Sequence, residues 1–332
     1  MARFDRSALS IVDFASHLHP SDPDNKDHEY IDEELGEPVY LDPEAHLRAN
    51  HAAGVDGAVL SQPVFMGHPD LEATREANDA MLEVVESYDE YHGLAAIPTG
   101  AGVEAAAGEF ERCLDAGFNG GGLETLSPDG LEVHHDEMAP ILEIADRTGA
   151  PILVHPKLHG SLNSDVLDDS WLLNASLGRD AGLAASIVKV VHTGVFDRYP
   201  NLKLVFHHTG GNVASMMGRV QNMLVMFRPE EWAELKGEPL DAQVKDFPAF
   251  ERQLQERVYV DTAGHYGYHS VLRSALMQFP TSQLLFGTDF PFEVRSQADF
   301  ADYISVIERE VGSEDAERIL SGNVLDLLVN TG

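Results

Sequence analysis

The chain is poor in cysteine, in basic residues and in long apolar runs. Its single cysteine, Cys113, excludes an intrachain disulfide, and its helical setting is typical of a small buried hydrophobe rather than a nucleophile. No stretch approaches the roughly 18 consecutive apolar residues of a membrane span. The first residues also lack the apolar core of a signal peptide. We therefore expect a cytoplasmic protein without membrane partners.

The scarcity of basic residues gives the chain a strongly acidic balance. Asp and Glu number 56 against 22 Lys and Arg, and the net charge is −34. Such a surface repels nucleic acid and anionic membranes, so we expect no nucleic-acid partner. The acidic residues are dispersed along the 332 residues rather than gathered in a block. Dispersal favours a surface that stays hydrated at high salt, as in a halophile, over an acidic partner-binding tail.

Short β-rich runs alternate with longer amphipathic patterns, which is typical of βαβ units and a parallel sheet. The run at 120–124 is the weakest strand candidate, since glycine disfavours strand interiors. The predicted strands are 10–14, 57–61, 93–97, 120–124, 151–155, 203–207, 258–261 and 284–287. The predicted helices are 72–88, 103–116, 138–148, 181–196, 271–277, 298–311 and 314–328.

Eight strands alternating with helices predict an α/β protein with a single (β/α)₈ barrel (TIM barrel) domain over 1–332. An open doubly wound sheet is the alternative. However, no Gly-x-Gly-x-x-Gly turn follows the first strand, as a dinucleotide-binding fold would require. Two stretches, 21–43 and 228–247, do not fit the repeat, and we expect them to be lids or insertions.

Four side chains of the metal-binding type stand at the ends of predicted strands: His17, His155, His208 and Asp289. The carboxyl ends of barrel strands meet at one face, so we expect these side chains to converge. Three imidazoles and a carboxylate are a common ligand and acid–base set for a divalent metal ion. His19 lies two residues after His17, and on an extended strand both could chelate one ion. Alternatively, His19 lies in the following turn and contacts solvent or substrate.

Other polar residues give weaker signals. Glu124 ends the fourth strand, and Lys157 and His159 follow the fifth, so all three are candidates for binding a substrate carboxylate. A structural role for Glu124 and a solvated loop for the other two are equally compatible with the sequence. His207 would point to the opposite face from His208 on a strand, and we expect it to pack in the core or behind the site.

Five segments carry a resemblance to a known family. The chain resembles the amidohydrolase superfamily over nearly its whole length, and in particular the branch that contains aminocarboxymuconate-semialdehyde decarboxylase and related aromatic-acid decarboxylases. The most specific of the five segments is 194–211. The segments are 13–20, 151–156, 194–211, 286–291 and 318–323.

The resemblance implies roles for particular residues. The second histidine of the family's first strand falls on His17, the ligand of the fifth strand on His155, and the metal-ligating aspartate on Asp289. The general base of the family, the histidine before a Gly-Gly turn, falls on His208 rather than His207. The resemblance further implies one divalent ion, and a homodimer is expected on this ground alone.

The chain departs from the family pattern at its first ligand. Ala15 stands where the family carries His or Glu, and alanine cannot bind a metal. His19 could substitute, or the site could keep only His17, His155 and Asp289, which is still viable with water as a further ligand. A third possibility is that the metal has been lost.

The function implied is decarboxylation of a small aromatic or unsaturated carboxylic acid, with His208 and Asp289 as catalytic residues. Zn²⁺ is the expected cofactor, and Mn²⁺ or Mg²⁺ also suits a His/Asp donor set. The same residues could instead hydrolyse a lactone, ester or amide through a metal-bound hydroxide. A barrel that binds a ligand without catalysis is the third alternative.

Overall fold

The structure, a computed structural model, describes residues 11–22, 26–157, 167, 171–227, 245–264, 268–293 and 296–328. Eight parallel strands form one sheet in sequence order. They are β1 (Val12–His17), β2 (Gly57–Ser61), β3 (Tyr91–Ala96), β4 (Gly120–Glu124), β5 (Pro151–His155), β6 (Lys203–Phe206), β7 (Val258–Asp261) and β8 (Leu284–Leu285).

Backbone hydrogen bonds close this sheet into a ring. Phe14 N donates to Phe286 O at 2.7 Å and Asp289 N donates to Ala15 O at 2.8 Å, which joins the segment after β8 to β1. Ser16 also pairs in parallel with Phe290. The predicted (β/α)₈ barrel is therefore confirmed.

Helices alternate with the strands, and none of the described helices is long and apolar enough to cross a membrane. The predicted helix 181–196 is interrupted at Gly194, whose φ of 76° is left-handed. Within the predicted insertion 21–43, residues 26–35 are helical, whereas most of 228–247 lies outside the described residues. The helices are Lys26–Leu35, Pro43–Ala52, Leu71–Ser87, Val103–Ala116, Ala139–Thr148, Arg179–His192, Val195–Arg198, Val213–Phe227, Phe247–Arg257, Ser270–Gln278, Gln297–Val311, Ser313–Glu317 and Asn323–Leu328.

Acidic residues start several helices. The Asp70 carboxylate accepts hydrogen bonds from the backbone N–H groups of Glu72 and Ala73 at 3.0 and 3.2 Å. Ser296 and Asp299 form a reciprocal capping box at the start of Gln297–Val311. These bonds satisfy N–H groups that have no partner inside the helix and favour the negative charge at its amino end.

The strands bury side chains on both faces. Val205 packs inside the barrel with Phe14, Leu153 and Leu285, whereas its neighbour Leu204 packs outside, against the helices. Because side chains two residues apart on a strand share a face, a residue two positions after an interior residue also points to the axis. This rule places His155, which ends β5 two positions after Leu153, in the barrel interior.

The glycine-rich β4 forms as predicted, and its glycines have a packing reason. A Cβ atom on Gly122 would lie 2.2 Å from Cε of Met66, and one on Gly121 would lie 2.6 Å from Cδ1 of Ile97. Larger side chains on either face of this strand would displace well-packed neighbours.

Candidate metal centre and active site

Five polar side chains meet at the carboxyl ends of the strands. Ligand-type atoms of His17, His155 and His207 lie within 4.8 Å of one another, and so do those of His207, His208 and Asp289. His17 ends β1, His155 ends β5, the two adjacent histidines follow β6, and Asp289 follows β8. The predicted convergence of His17, His155, His208 and Asp289 is what the structure shows, with His207 added to the set.

His17 is buried and its ring is fixed from behind. Its Nδ1 contacts the Ser61 hydroxyl at 2.9 Å, and its Nε2 lies 2.7 Å from Oδ1 of Asp289. That Nε2 nevertheless makes no aligned hydrogen bond. Burial lowers the pKa of His17 below its ordinary value, although the nearby Asp289 carboxylate acts in the opposite direction. A neutral imidazole with one nitrogen anchored is the form that ligates metals.

His155 is held in the same form. Its Nδ1 donates to the carbonyl oxygen of Pro156 at 2.9 Å, so Nε2 carries the lone pair. Burial, and then the positive charge of His207, lower the pKa of His155 well below its ordinary value. The ring stacks on that of His207 with centroids 5.1 Å apart.

His207 is buried and paired with a second carboxylate. Its Nδ1 lies 2.6 Å from Oδ2 of Asp261, and both side chains are fully buried. Its Nε2 lies 3.4 Å from Oδ1 of Asp289. Burial opposes the charge on this ring, but the Asp261 carboxylate outweighs it and raises the pKa of His207 to about 9.

The expectation that His207 and His208 point to opposite faces is wrong, since their ring centroids lie 4.0 Å apart. β6 ends at Phe206, and the chain then turns with left-handed φ values of 51° at His208 and Thr209. The alternation of a strand no longer applies in such a turn. Gly264 closes over it, since a Cβ there would lie 2.8 Å from Cβ of His208.

His208 is oriented by a carboxylate that the sequence did not single out. Its Nδ1 lies 3.2 Å from Oδ1 of Asp180, in the first turn of Arg179–His192. Its Nε2 lies 3.6 Å from Oδ2 of Asp289 and has no hydrogen-bond partner among the described residues. Burial opposes the imidazolium, but interactions with Asp180 and Asp289 outweigh it and hold the pKa of His208 well above its ordinary value.

Asp289 is held in an uncommon backbone conformation, with φ of 56°. Burial opposes its ionisation, but interactions with His17, His207 and His208 outweigh it and hold the pKa of Asp289 well below its ordinary value. The preceding residue, Thr288, donates its hydroxyl and its backbone N–H to Asp13. Burial raises the pKa of Asp13 to about 7. These bonds fix the turn that presents the Asp289 carboxylate.

The structure does not bring His19 into either cluster of ligand atoms. Its ring stacks on Tyr40 with centroids 4.5 Å apart and lies edge-on to Phe292 at 6.2 Å. The side chain is fully buried, and neither nitrogen has a hydrogen-bond partner among the described residues. Burial, and then the charge of His17, lower its pKa well below the ordinary value.

Of the predicted substrate-binding residues, Glu124 and Lys157 lie outside both clusters. Glu124 is buried at the end of β4, and its Oε2 lies 2.5 Å from the place a Cβ on Gly67 would occupy. Lys157 is half-buried, and its backbone N–H donates to the Thr125 hydroxyl at 3.1 Å. His159 lies outside the described residues.

A separate surface cleft of about 430 Å³ lies at the other end of the barrel, where Lys203 begins β6 and Tyr259 lies near the start of β7. No histidine lines it. The two clusters of ligand atoms are at the opposite face.

Comparison with known proteins shows the family to which this chain belongs. The sequence profile of the amidohydrolase family (Amidohydro_2) matches residues 14–328, and the chain belongs to this family. It is 26% identical over 266 residues to a gamma-resorcylate decarboxylase of Polaromonas sp. strain JS666, covering 76% of this chain and 77% of that protein. It is also 26% identical over 295 residues to the 2-amino-3-carboxymuconate-6-semialdehyde decarboxylase of Dictyostelium discoideum, covering 86% and 76%.

Solved structures give the same fold. The 2,6-dihydroxybenzoate decarboxylase from Rhizobium superimposes with a TM-score of 0.78 at 22% identity, covering 98% of this chain and all (100%) of that one. The dihydroxybenzoic acid decarboxylase of Polaromonas sp. JS666, solved with manganese and 2-nitroresorcinol, gives 0.77 at 22% identity, covering 97% of each chain. The resemblance drawn from the sequence is confirmed.

Proposed function

We propose that this protein is a metal-dependent decarboxylase of a small aromatic or unsaturated carboxylic acid. The observation that carries the proposal is the convergence of His17, His155 and Asp289 at the carboxyl face of the barrel, around His207 and beside the proton-carrying His208. The relatives reported above are decarboxylases by name, and they share the family to which this chain belongs.

The residues present fit a divalent cation. Nε2 of His17 and Oδ1 of Asp289 lie 2.7 Å apart without an aligned hydrogen bond. Two lone-pair-bearing atoms this close repel each other unless a cation lies between them or a proton joins them. The second imidazole, His155, has its Nδ1 proton engaged elsewhere and is neutral. Neutral imidazoles and an ionised carboxylate suit Zn²⁺ or Mn²⁺.

We assign His17, His155 and Asp289 as ligands of this ion and leave His19 out, because its ring is stacked on Tyr40 away from the cluster. When bound, the divalent ion would supply positive charge to hold substrate oxygen atoms and to stabilise the negative charge that develops as CO₂ leaves. We expect Zn²⁺ or Mn²⁺, and a structurally similar decarboxylase contains manganese.

The proton step belongs to His208. As the bond between the substrate carbon and its carboxylate breaks, the electron pair stays on that carbon. The imidazolium of His208 donates the proton that forms the new C–H bond, and CO₂ is the other product. Asp180 accepts a hydrogen bond from Nδ1–H of His208 and keeps the ring oriented, so that Nε2 faces the site. Oδ2 of Asp289, 3.6 Å from Nε2, favours the charged form of the ring before the transfer.

The test is turnover of a substrate panel by protein purified in high salt and loaded with Mn²⁺ or Zn²⁺. The panel contains 2,6-dihydroxybenzoate, 5-carboxyvanillate and 2-amino-3-carboxymuconate-6-semialdehyde, with lactones and esters as the hydrolase arm. Chromatography and CO₂ release follow the products. We expect one of the acids to be decarboxylated and His208→Asn to lower kcat by about 10²–10⁴-fold. Hydrolysis of a lactone or ester without decarboxylation of any acid would refute the proposal in favour of a hydrolase.

A further inference from the structure

We propose that His207 is a fourth protein ligand of the metal ion, and that it takes the place left empty by Ala15. Its neighbour His208 then stays outside the coordination sphere and carries the proton. This inference rests on the proposed metal centre. It assigns metal binding and proton transfer to two adjacent histidines. It also supplies a ligand in place of the one that the first strand lacks, since His17 is the only histidine of that strand in the cluster.

The position of His207 Nε2 is the first argument. It belongs to both clusters of ligand atoms, one with His17 and His155 and one with Asp289. It approaches Oδ1 of Asp289 at 3.4 Å, the same oxygen that His17 Nε2 approaches at 2.7 Å. A cation held by His17, His155 and that oxygen would therefore have His207 Nε2 beside it.

The anchoring of His207 is the second argument. Asp261 holds Nδ1 at 2.6 Å, and both groups are fully buried. The Asp261 carboxylate is fixed in turn by the backbone N–H of Ala263, which donates to Oδ1 at 3.1 Å. A carboxylate behind a histidine accepts the Nδ1–H, so that Nε2 faces the site, and raises the basicity of the ring, as in many metal sites. The ion would replace the proton on Nε2.

His208 has a different environment. Its Nε2 faces Oδ2 of Asp289 at 3.6 Å, whereas His17 and His207 lie closest to Oδ1. The side chain is 15% exposed, whereas that of His207 is fully buried. The two oxygens of Asp289 thus separate a ligand side from a proton-transfer side.

Ala15 itself offers no donor atom. It is fully buried, and its methyl group lies 2.9 Å from where a Cβ on Gly287 would stand, a place that is also 2.9 Å from Cβ of Asp261. The carboxylate of that same Asp261 holds the ring of His207.

The experiment compares metal affinity in two matched variants, His207→Asn and His208→Asn. An asparagine amide stands near the place of Nδ1, so each variant keeps a donor for Asp261 or Asp180 and loses only Nε2. Affinities for Zn²⁺ and Co²⁺ are measured by competition with a fluorescent chelator, and the visible spectrum of bound Co²⁺ reports its ligands. We expect His207→Asn to weaken binding by at least about 100-fold and Asp261→Asn by about 10–100-fold. His208→Asn should keep the affinity and spectrum of the parent protein.

Two controls complete the design. His19→Phe keeps the stacking on Tyr40 and should leave metal affinity unchanged. Thermal unfolding followed by circular dichroism reports whether each variant folds, and if His207→Asn does not, Asp261→Asn decides in its place. Parent-like affinity and Co²⁺ spectrum in His207→Asn, or parent-like affinity in Asp261→Asn, would overturn the assignment. So would loss of the metal in His208→Asn.

The outcome separates this inference from the proposed reaction. Metal lost in His207→Asn without decarboxylation by the parent protein would support the ligand and refute the reaction. If the parent protein decarboxylates a substrate and its His207→Asn variant keeps the metal, the reaction is supported and the His207 ligand is refuted.

Discussion

Asp289 organises the site by presenting two oxygens to different partners. His17 and His207 approach Oδ1, at 2.7 and 3.4 Å, and His208 approaches Oδ2 at 3.6 Å. An ionised carboxylate in this position can help to bind a cation on one side and stabilise an imidazolium on the other. The chemistry of proton transfer is thereby placed next to the proposed ion.

The variant Asp180→Asn tests the role of His208 in proton transfer. The substitution removes the carboxylate that holds Nδ1 of His208 at 3.2 Å. Because that interaction raises the pKa of His208, the limb of the pH–rate profile at which His208 loses its proton should move to lower pH. We expect kcat to fall at least about ten-fold, with KM little changed.

The matched control for Asp180→Asn is Asp302→Asn, since Asp302 lies 3.1 Å from His269, in a histidine–carboxylate pair outside both ligand clusters. Its pH–rate profile should coincide with that of the parent protein. An unshifted profile in Asp180→Asn would show that Asp180 does not position His208.

Individual site residues were predictable to different degrees. His17, His155 and Asp289 follow from strand ends and a family resemblance. That His207 faces the barrel interior could have been predicted from the alternation of side chains along β6. Val205 points into the barrel, and the residue two positions further on shares its face. The position of His208 could not be predicted in this way, since it depends on a left-handed turn. Asp180 comes from a distant helix, and no local pattern links it to β6.

At the scale of elements, β4 shows why a weak strand signal still gives a strand. Its three glycines leave room for side chains from the neighbouring loop and helix, among them Met66 and Phe110. Propensity disfavours glycine in strands, but hydrogen bonds to β3 and β5 and the close packing decide the outcome.

Gly121→Ala tests this packing. The added Cβ would lie 2.6 Å from Cδ1 of Ile97 and 2.7 Å from Cε2 of Phe110, so we expect a loss of about 1–3 kcal/mol in the free energy of unfolding. Gly108→Ala is the control, since Gly108 lies in the helix Val103–Ala116 with no atom within 4 Å of the added carbon. It should stabilise the protein by about 0.5–1 kcal/mol. Denaturant unfolding measures both, and equal effects would contradict the packing argument.

His46 links three elements near the site. Its ring contacts the Ser16 hydroxyl of β1 at 3.1 Å and the Tyr91 hydroxyl of β3 at 2.8 Å, from the helix Pro43–Ala52. Burial, and then the charge of His17, lower its pKa from 6.5 to about 3. The unfolded chain therefore binds a proton that the folded chain does not, and stability is lost as the pH falls from 6.5 towards 3.

The predicted contribution of His46 is measurable. As the pH falls from about 7.5 to about 5, protonation of His46 in the unfolded chain should lower the free energy of unfolding by about 2 kcal/mol. His46→Gln removes the titrating group, so its stability should be lower at pH 7.5 but should fall by about 2 kcal/mol less over this range. Chemical denaturation at several pH values gives both slopes, and parallel slopes would show that His46 titrates alike in both states.

Sequence periodicity identified all eight strands, because βαβ units alternate two clear patterns. It identified many of the helices but missed Pro43–Ala52 and Phe247–Arg257. The interruption at Gly194 was missed because the residues on both sides continue an apolar pattern. The helix Lys26–Leu35 was missed because it is polar, so its sequence resembles a loop.

At the scale of the whole molecule, the net charge of −34 should govern stability in salt. Mutual repulsion of surface carboxylates destabilises the compact state at low ionic strength, and salt screens it. We expect the Tm to rise by at least about 5 °C between roughly 0.1 M and 2 M KCl. Sucrose at matched osmolality separates screening from solvent exclusion. A Tm that is highest at low salt would contradict the high-salt interpretation.

Fold and family were accessible from the sequence because the barrel places strand ends, and therefore functional residues, in a fixed order. The proposed ligand set was accessible only in part, because Ala15 breaks the family pattern and the carboxylate that holds His207, Asp261, reaches it by a tertiary contact.

The measurement that tests the account most directly is a titration of metal-free protein with Mn²⁺ while decarboxylation of 2,6-dihydroxybenzoate is followed by CO₂ release. The account predicts no turnover without metal, and turnover that rises with added ion and levels off at about one ion per chain. Turnover that persists in excess chelator, or the absence of decarboxylation of every acid in the panel when one ion is bound, would contradict it.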